Sequence, residues 1–186
     1  MGALVCEERG PPALKEAKGV DQMASSKSLA VRPVRNGHGI VAAKPFRQGV
    51  VIVEIKGKIV TAGEVWRYWE IDPRLGENCF RYDEDHYLDP NGEIGQYANH
   101  SCNPNAGIVR KGRRLILKAI APIAAGEEVT HDYSTLLGGD DVWKMRCNCG
   151  ESNCRRVVGN IGKLPAAMVR TYRRLGIVPD FILASR

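Results

Sequence analysis

Apolar positions along this chain come in short bursts, and most alternate with a period of two. "LAVRPV" and "GIVAAKPF", on either side of a glycine turn, predict a first pair of strands from Leu29 onward. Val50 to Val60, "VVIVEIKGKIV", is strongly β-branched and predicts more strand, with the alternation broken at Gly57. Thr61 with Glu64 three positions on forms a capping box, so "AGEVWRYWE" is predicted as a short helix that stops before Pro73. Further on, "AGIVRKGRRLILKAI" predicts a hairpin around Lys111-Gly112, and "EEVTHDYS" another strand. Near the end, "LPAAMVRTYRRLG" predicts a helix with Leu164, Met168, Tyr172 and Leu175 on one face and Gly176 as its stop. That stripe reads as a docking surface rather than a binding site. Short strands with frequent turns give a mainly β fold with short helices, and no internal repeat is present.

Residues 1–28 lack apolar periodicity and end in "MASSKS", which predicts a flexible N-terminal tail. The 186 residues, 44% of them hydrophobic, are enough for the core of about one domain. No run of about 18 apolar residues exists, and the start has neither the basic residues nor the apolar stretch of a signal peptide, so a soluble intracellular protein away from membranes is expected. Met1-Gly2 invites an acylation reading, which Cys6 opposes by standing where that motif wants Ser or Thr.

The net charge of +6 is unevenly spread. Residues 144–186 carry nine basic side chains against two acidic ones, while residues 70–93 carry eight acids against Arg74 and Arg81. Beyond ordinary solvated surfaces, these patterns suggest a basic tail that docks on something acidic, and an acidic insert that attracts a basic peptide.

Three motifs carry candidate chemistry. "CNCGESNC" sets Cys147, Cys149 and Cys154 at a spacing that favours a metal over a disulfide in an intracellular protein, because adjacent thiolates converge readily on tetrahedral Zn²⁺. One corner stays open, with Cys6, Cys79 and Cys102 as candidates. "NHSCNPNAG", Asn99 to Gly107, gathers amide, imidazole, hydroxyl and thiol groups around one proline. "GHGIVA", Gly37 to Ala42, formally fits a dinucleotide fingerprint, yet Pro45, Gly49 and a β-branched run follow where a helix must begin. What survives is a backbone able to approach a ligand or another loop closely, or a plain turn.

Together these residues resemble a SET-domain protein-lysine methyltransferase with a post-SET zinc segment. The resemblance runs from about Val31 to Cys154 through "NGHGIVAAKPFRQGVVIVEIKG", "YLDPNGEIGQYANHSCNPNA", "GEEVTHDY" and "CNCGESNC", four motifs in the family's order. It implies a fold of small β-sheets with a knot-like active site: a SET domain over 29–135 with the acidic insert at 70–93, a post-SET segment over 136–160, and a C-terminal helix and tail over 161–186. It implies S-adenosylmethionine held by Gly37, His38, Gly39, Asn99 and His100, with Trp143 as a weaker candidate to cover the adenine or an ordinary core tryptophan. By the same resemblance Tyr133 is the active-site tyrosine, and Cys102, Cys147, Cys149 and Cys154 are the zinc ligands.

Two departures stand out: Gln96-Tyr97 replaces the family's usual Arg-Phe, and His131 replaces the Phe or Tyr that helps set the number of methyl groups added. The substrate is then a lysine-containing protein, histone or other, with Asp83, Glu84 and Asp85 steering basic residues around the target lysine. A rival reading is a catalytically silent zinc-stabilised module that grips nucleic acid or a protein partner. Arg155, Arg156, Arg170, Arg173 and Arg174 would then supply a weak, salt-dependent nucleic-acid contact.

Overall fold

The computed structural model describes residues 28–185, so the tail expected over residues 1–28 lies, Ser28 apart, outside the described residues, as does Cys6. Among the described residues, strands β1 (Leu29–Val34) and β2 (Gly37–Ala42) pair antiparallel around Arg35-Asn36, with Gly37 at a φ of +94° closing the turn. β3 (Val51–Ile55) and β4 (Lys58–Thr61) divide the β-branched run at Gly57, where a Cβ would collide with the backbone of Asp89. Helix α1 (Ala62–Ile71) starts at the capping box: the Glu64 N–H donates to the Thr61 hydroxyl at 3.2 Å, and the Thr61 N–H donates to Glu64 Oε2 at 2.8 Å.

Residues 70–93 are woven into the fold. After the short helix α2 (Pro73–Glu77), strands β5 (Phe80–Arg81) and β6 (His86–Asp89) join β4 in a three-stranded sheet of order β4-β6-β5. Phe80, Tyr82 and Leu88 are buried in the main core, leaving the acids on the turns and rims. Local composition shows the charges and hides these apolar anchors.

β7 (Asn99–His100) precedes the hairpin of β8 (Ala106–Lys111) and β9 (Arg114–Ala119), which completes a second three-stranded sheet with β3 in the order β3-β9-β8. Lys111 pairs with Arg114, so the loop is Gly112-Arg113, one residue later than the expected Lys111-Gly112. Gly112, at a φ of +60°, occupies the first loop position, which a type II′ turn reserves for glycine. The strand expected at "EEVTHDYS" is only β10 (Thr130–His131). Asp132 ends it by accepting the Ser134 N–H at 3.1 Å, which caps a 3₁₀ turn over Tyr133–Leu136 in place of a continued ladder.

β10 pairs in parallel with β7, Thr130 beside Asn99 and His131 beside His100. This two-residue contact lays the polar "NHS" stretch against the residues that lead into Tyr133. β11 (Met145–Arg146) and β12 (Val157–Val158) then form a small hairpin that encloses the cysteine segment.

The expected C-terminal helix is α3 (Ala166–Leu175), ended by Gly176 at a φ of +68°, and a further helix α4 (Asp180–Ala184) occupies what was read as tail. The apolar stripe docks as expected. Leu164, Val169 and Tyr172 join Ile161, Ile177 and Ile182 in one buried cluster, against which Val109 and Ile120 of the main body pack. Gly107 permits that approach, since a Cβ there would overlap the Ile177 side chain. The whole is mainly β with short helices, built of five small sheets among the described residues.

Candidate active site and cysteine cluster

Two walls face each other across a cavity of about 300 Å³. The first is made by the β7–β10 contact. Asn99, half-buried, donates through Nδ2 to the His38 carbonyl at 3.0 Å and to Glu128 Oε1 at 2.8 Å. Gly39 is required behind it, because a Cβ would run into both the Glu128 carboxylate and the Asn99 amide. Of Gly37, His38 and Gly39, expected at the cofactor, the His38 carbonyl and Gly39 back Asn99 on the cavity wall, and the neighbouring Asn36 lines the cavity.

His100 is buried and joins both walls. Its Nδ1 accepts the Tyr133 N–H at 3.2 Å, which assigns the proton to Nε2, and Nε2 faces Cys102 Sγ at 3.4 Å. Burial lowers its pKa to about 4, so the ring is neutral at pH 7. Tyr133 stands beside it with ring centroids 5.3 Å apart, and its hydroxyl donates to the Ala98 carbonyl at 3.3 Å. Burial pushes the Tyr133 phenol up, helped by the negative charges of Glu77 and Glu128. It therefore stays protonated.

His131, 2% exposed, lies 4.9 Å from the Tyr133 ring and is not part of the cavity lining. Among the described residues, neither of its ring nitrogens has a hydrogen-bond partner. Burial lowers its pKa to about 3, with the nearby His100 acting the same way; the charge of Asp132 and the backbone of Ala98 and Asp132 pull in the other direction, the backbone groups without reaching hydrogen-bond geometry.

The second wall is the cysteine segment. The sulphurs of Cys102, Cys147, Cys149 and Cys154 all lie within 4.8 Å of one another, with Cys102 and Cys147 3.7 Å apart. Tetrahedral zinc with bonds of about 2.3 Å to sulphur sets its ligands about 3.8 Å apart, so the donor set suits Zn²⁺. Of the three candidates for the open corner, the fold brings Cys102; Cys79 is half-buried elsewhere and donates to the Leu75 carbonyl at 3.4 Å. Burial pushes the Cys147 thiol up. Burial acts the same way on Cys149, but hydrogen bonds from the backbone and from the neighbouring sulphurs outweigh it and bring that thiol to about 7. The segment is also strapped to the β1–β2 turn, where Arg35 Nε donates to the Asn148 carbonyl at 3.0 Å beside Gly150, whose φ is +82°.

From this wall Trp143, Met145, Cys147 and Cys149 line the cavity opposite Asn99, His100 and Tyr133. The Trp143 Nε1–H is buried and acts on the nearby Glu77 carboxylate, partly offsetting the upward push of burial on its pKa, though among the described residues it has no partner at hydrogen-bond geometry. Sequence reading missed Asn36, Glu77, Asn78, Met145, Arg146 and Asn148 among the lining residues. Asn148 was findable, lying between two cysteines already singled out; Glu77 and Asn78 carry no local signal.

Asp83, Glu84 and Asp85 do not line the cavity. They form the β5–β6 turn, in which Asp83 Oδ1 lies 2.9 Å from His86 Nδ1, and Arg81 ties that turn to Asp141 at 3.2 Å. One nucleic-acid candidate also changes role. Arg155 is spent on the buried Asp132, at 2.7 and 2.9 Å, whereas Arg170, Arg173 and Arg174 are exposed.

Comparisons with known proteins point the same way as the geometry. A family model described as "SET domain" matches residues 37–134 of the 186. The chain is 34% identical over 128 residues to "Histone-lysine N-methyltransferase trr" of Drosophila melanogaster, covering 64% of this chain and 5% of that protein. It is 30% identical over 145 residues to "Histone-lysine N-methyltransferase ASHR3" of Arabidopsis thaliana, covering 73% of this chain and 29% of the relative. "Probable histone-lysine N-methyltransferase set-23" of Caenorhabditis briggsae is 32% identical over 135 residues, with 64% of this chain and 55% of that one covered. In each case the chain spans well under two thirds of the relative. Among solved structures, the fold is similar to that of KRYPTONITE in complex with mCHG DNA and SAH, with a TM-score of 0.55, 24% identity, and coverage of 70% of this chain and 28% of that one.

Proposed function

This chain belongs to the SET-domain family, and from that premise we propose that it transfers methyl groups from S-adenosylmethionine to the side-chain amine of lysine in a protein. The observation that carries this reading is the cavity in which Asn99, His100 and Tyr133 face Trp143 and the cysteine segment. Its lining mixes an indole, a thioether and several amides, which suits a ligand with an aromatic base, hydroxyls and an amino-acid end. The relatives' names supply the reaction class, and histone is the first substrate to test.

Bound S-adenosylmethionine supplies a methyl group on a positive sulphur, open to direct displacement by an amine. The chain then needs no nucleophile of its own; its work is alignment. A free lysine titrates near about 10.4 and must lose its proton before it attacks. Burial beside the neutral ring of His100 favours the uncharged amine by desolvation. Tyr133 stays protonated and donates to the Ala98 carbonyl, so its oxygen lone pairs are free to accept from the amine and orient it. No side chain stands out as a general base, and the proton leaves through water before transfer.

The four cysteines hold Zn²⁺ in this reading, Cys102 joining "CNCGESNC" to the polar stretch. The metal's part is structural, tying the second wall to the first. Asp83, Glu84 and Asp85 act at the outer edge as a steering charge for basic residues around the lysine.

The test is incubation with labelled cofactor, histones and cell extracts, followed by mapping of modified lysines by mass spectrometry. Label on lysine side chains, reduced about 10²-fold in kcat by Tyr133→Phe, is the expected result. An unchanged single-turnover rate in Tyr133→Phe would refute the role of Tyr133, and no labelled lysine in any sample would refute the reaction.

A further inference from the structure

Asp132 stands where three separate parts of the chain meet. Its carboxylate is fully buried and takes four donors. Oδ1 accepts from the Ser134 N–H at 3.1 Å and Arg155 Nη2 at 2.7 Å, and Oδ2 accepts from Arg155 Nη1 at 2.9 Å and the Tyr172 hydroxyl at 3.1 Å. A carboxylate offers about four lone-pair sites, so this one is full. The donors come from the turn that begins at Tyr133, from the residue after Cys154, and from the middle of α3.

We propose that Tyr172 is a positioning residue for the transfer reaction, its hydroxyl fixing the Asp132 carboxylate in the orientation that caps the 3₁₀ turn and so holds Tyr133 against the cavity. This rests on the methyl-transfer reading above. The alternative orientation is close at hand, because Asp132 Oδ1 already lies 3.6 Å from His100 Nδ1. That nitrogen presents a lone pair, engaged by the Tyr133 N–H. A carboxylate free to twist would compete with that lone pair for the N–H, loosening Tyr133 at its backbone. Arg155 restrains both oxygens from one side, and Tyr172 supplies the remaining restraint from the other.

The geometry of α3 makes this restraint firm. Tyr172 is 5% exposed and belongs to the C-terminal cluster, which Gly107 admits directly onto β8. The same C-terminal segment reaches the loop before Trp143, since the Gly139 N–H donates at 3.2 Å to the hydroxyl of Ser185, at the end of α4. The two helices therefore brace both walls of the cavity.

The deciding experiment compares Tyr172→Phe with Ile182→Val, which loosens the same cluster without touching a polar group. In each full-length protein one measures kcat, KM for S-adenosylmethionine, and hydrogen exchange of the Tyr133 and Ser134 amides. Tyr172→Phe is expected to lower kcat about tenfold with KM within twofold, and to speed exchange of both amides about tenfold, while Ile182→Val leaves all three within twofold. Unchanged kcat in Tyr172→Phe, or an equal fall in Ile182→Val, overturns the positioning role. If the wild-type protein methylates nothing, the failure belongs to the reaction; exchange then decides alone, with faster amides in Tyr172→Phe supporting the restraint and unchanged amides overturning it.

Discussion

The two walls of the cavity are held together by different physics. The wall of Asn99, His100 and Tyr133 follows directly on the main core, in which the adjacent Ala98 is buried with Ile40, Ile108 and Leu117, while the Tyr133 ring itself packs on the cysteine cluster. The wall from Trp143 to Val158 has one two-residue strand pair and, for apolar support, a small cluster of Val158, Tyr133, Trp143 and Met145 around the sulphurs. Hydrophobic burial fixes the first, and convergence of thiolates fixes the second. A ligand between them would meet one rigid surface and one whose order depends on metal.

Cys102→Ser should break that contrast most sharply. Structural zinc is worth about 10 kcal/mol or more to segments that depend on it, so the variant should lose bound metal and the exchange protection of residues 145–158 while keeping that of the β8–β9 hairpin. Metal analysis with hydrogen exchange reads both. Equal loss in hairpin and cysteine segment would mean that the walls do not differ as described.

Arg155→Met tests the link between the walls. It leaves the Asp132 carboxylate fully buried without its bidentate partner, a change that costs about 3–5 kcal/mol. Urea unfolding should show a shift of that size, and one below about 1 kcal/mol would place little weight on the pair.

Asp132 and His131 make the same contrast within one strand end: adjacent, both buried, the carboxylate saturated and the imidazole without a partner. His131 and His100 have folded pKa values of about 3 and about 4, below the ordinary 6.5. The unfolded chain therefore takes up protons first. Stability is fully present above pH 6.5 and falls as the pH drops toward 4, by roughly 2 kcal/mol per histidine at pH 5. Release of the proposed zinc at low pH would add to this equally in every variant, so the comparison with His131→Phe isolates one group. The variant should lose roughly 2 kcal/mol less than wild type between pH 7 and pH 5 in denaturant unfolding. An identical loss would show that His131 does not titrate as its burial dictates.

The smallest effect concerns the rim. Replacing Asp83, Glu84 and Asp85 with their amides should raise the KM for a basic peptide about two- to fivefold at low salt and leave kcat unchanged, because exposed charges act mainly by steering. An unchanged KM at low ionic strength would remove the acidic turn from substrate recognition.

What could be read from the residues alone follows from the range of the forces involved. The Thr61–Glu64 capping box and the Gly176 stop are local chemistry and were legible. So was the metal-like cysteine spacing, and the family resemblance pointed to Cys102 some 45 residues upstream. Legibility failed where long-range packing decides. Phe80 and Leu88 look like minor residues in an acidic stretch until the core surrounds them, and Arg155 looks like part of a basic surface until Asp132 is found beneath it. "EEVTHDYS" alternates like a strand, yet the Asp132 side chain captures the Ser134 N–H and turns the backbone after two residues.

The most direct test of the central claim, that a metal-ordered wall and a core-held wall together form the cofactor site, is calorimetric titration of S-adenosylhomocysteine into the protein before and after chelation. One bound zinc per chain, one ligand per chain, and a loss of affinity of at least tenfold on removing the metal are expected. Equal affinity in the metal-free protein, or no binding to the zinc-loaded one, would contradict that claim.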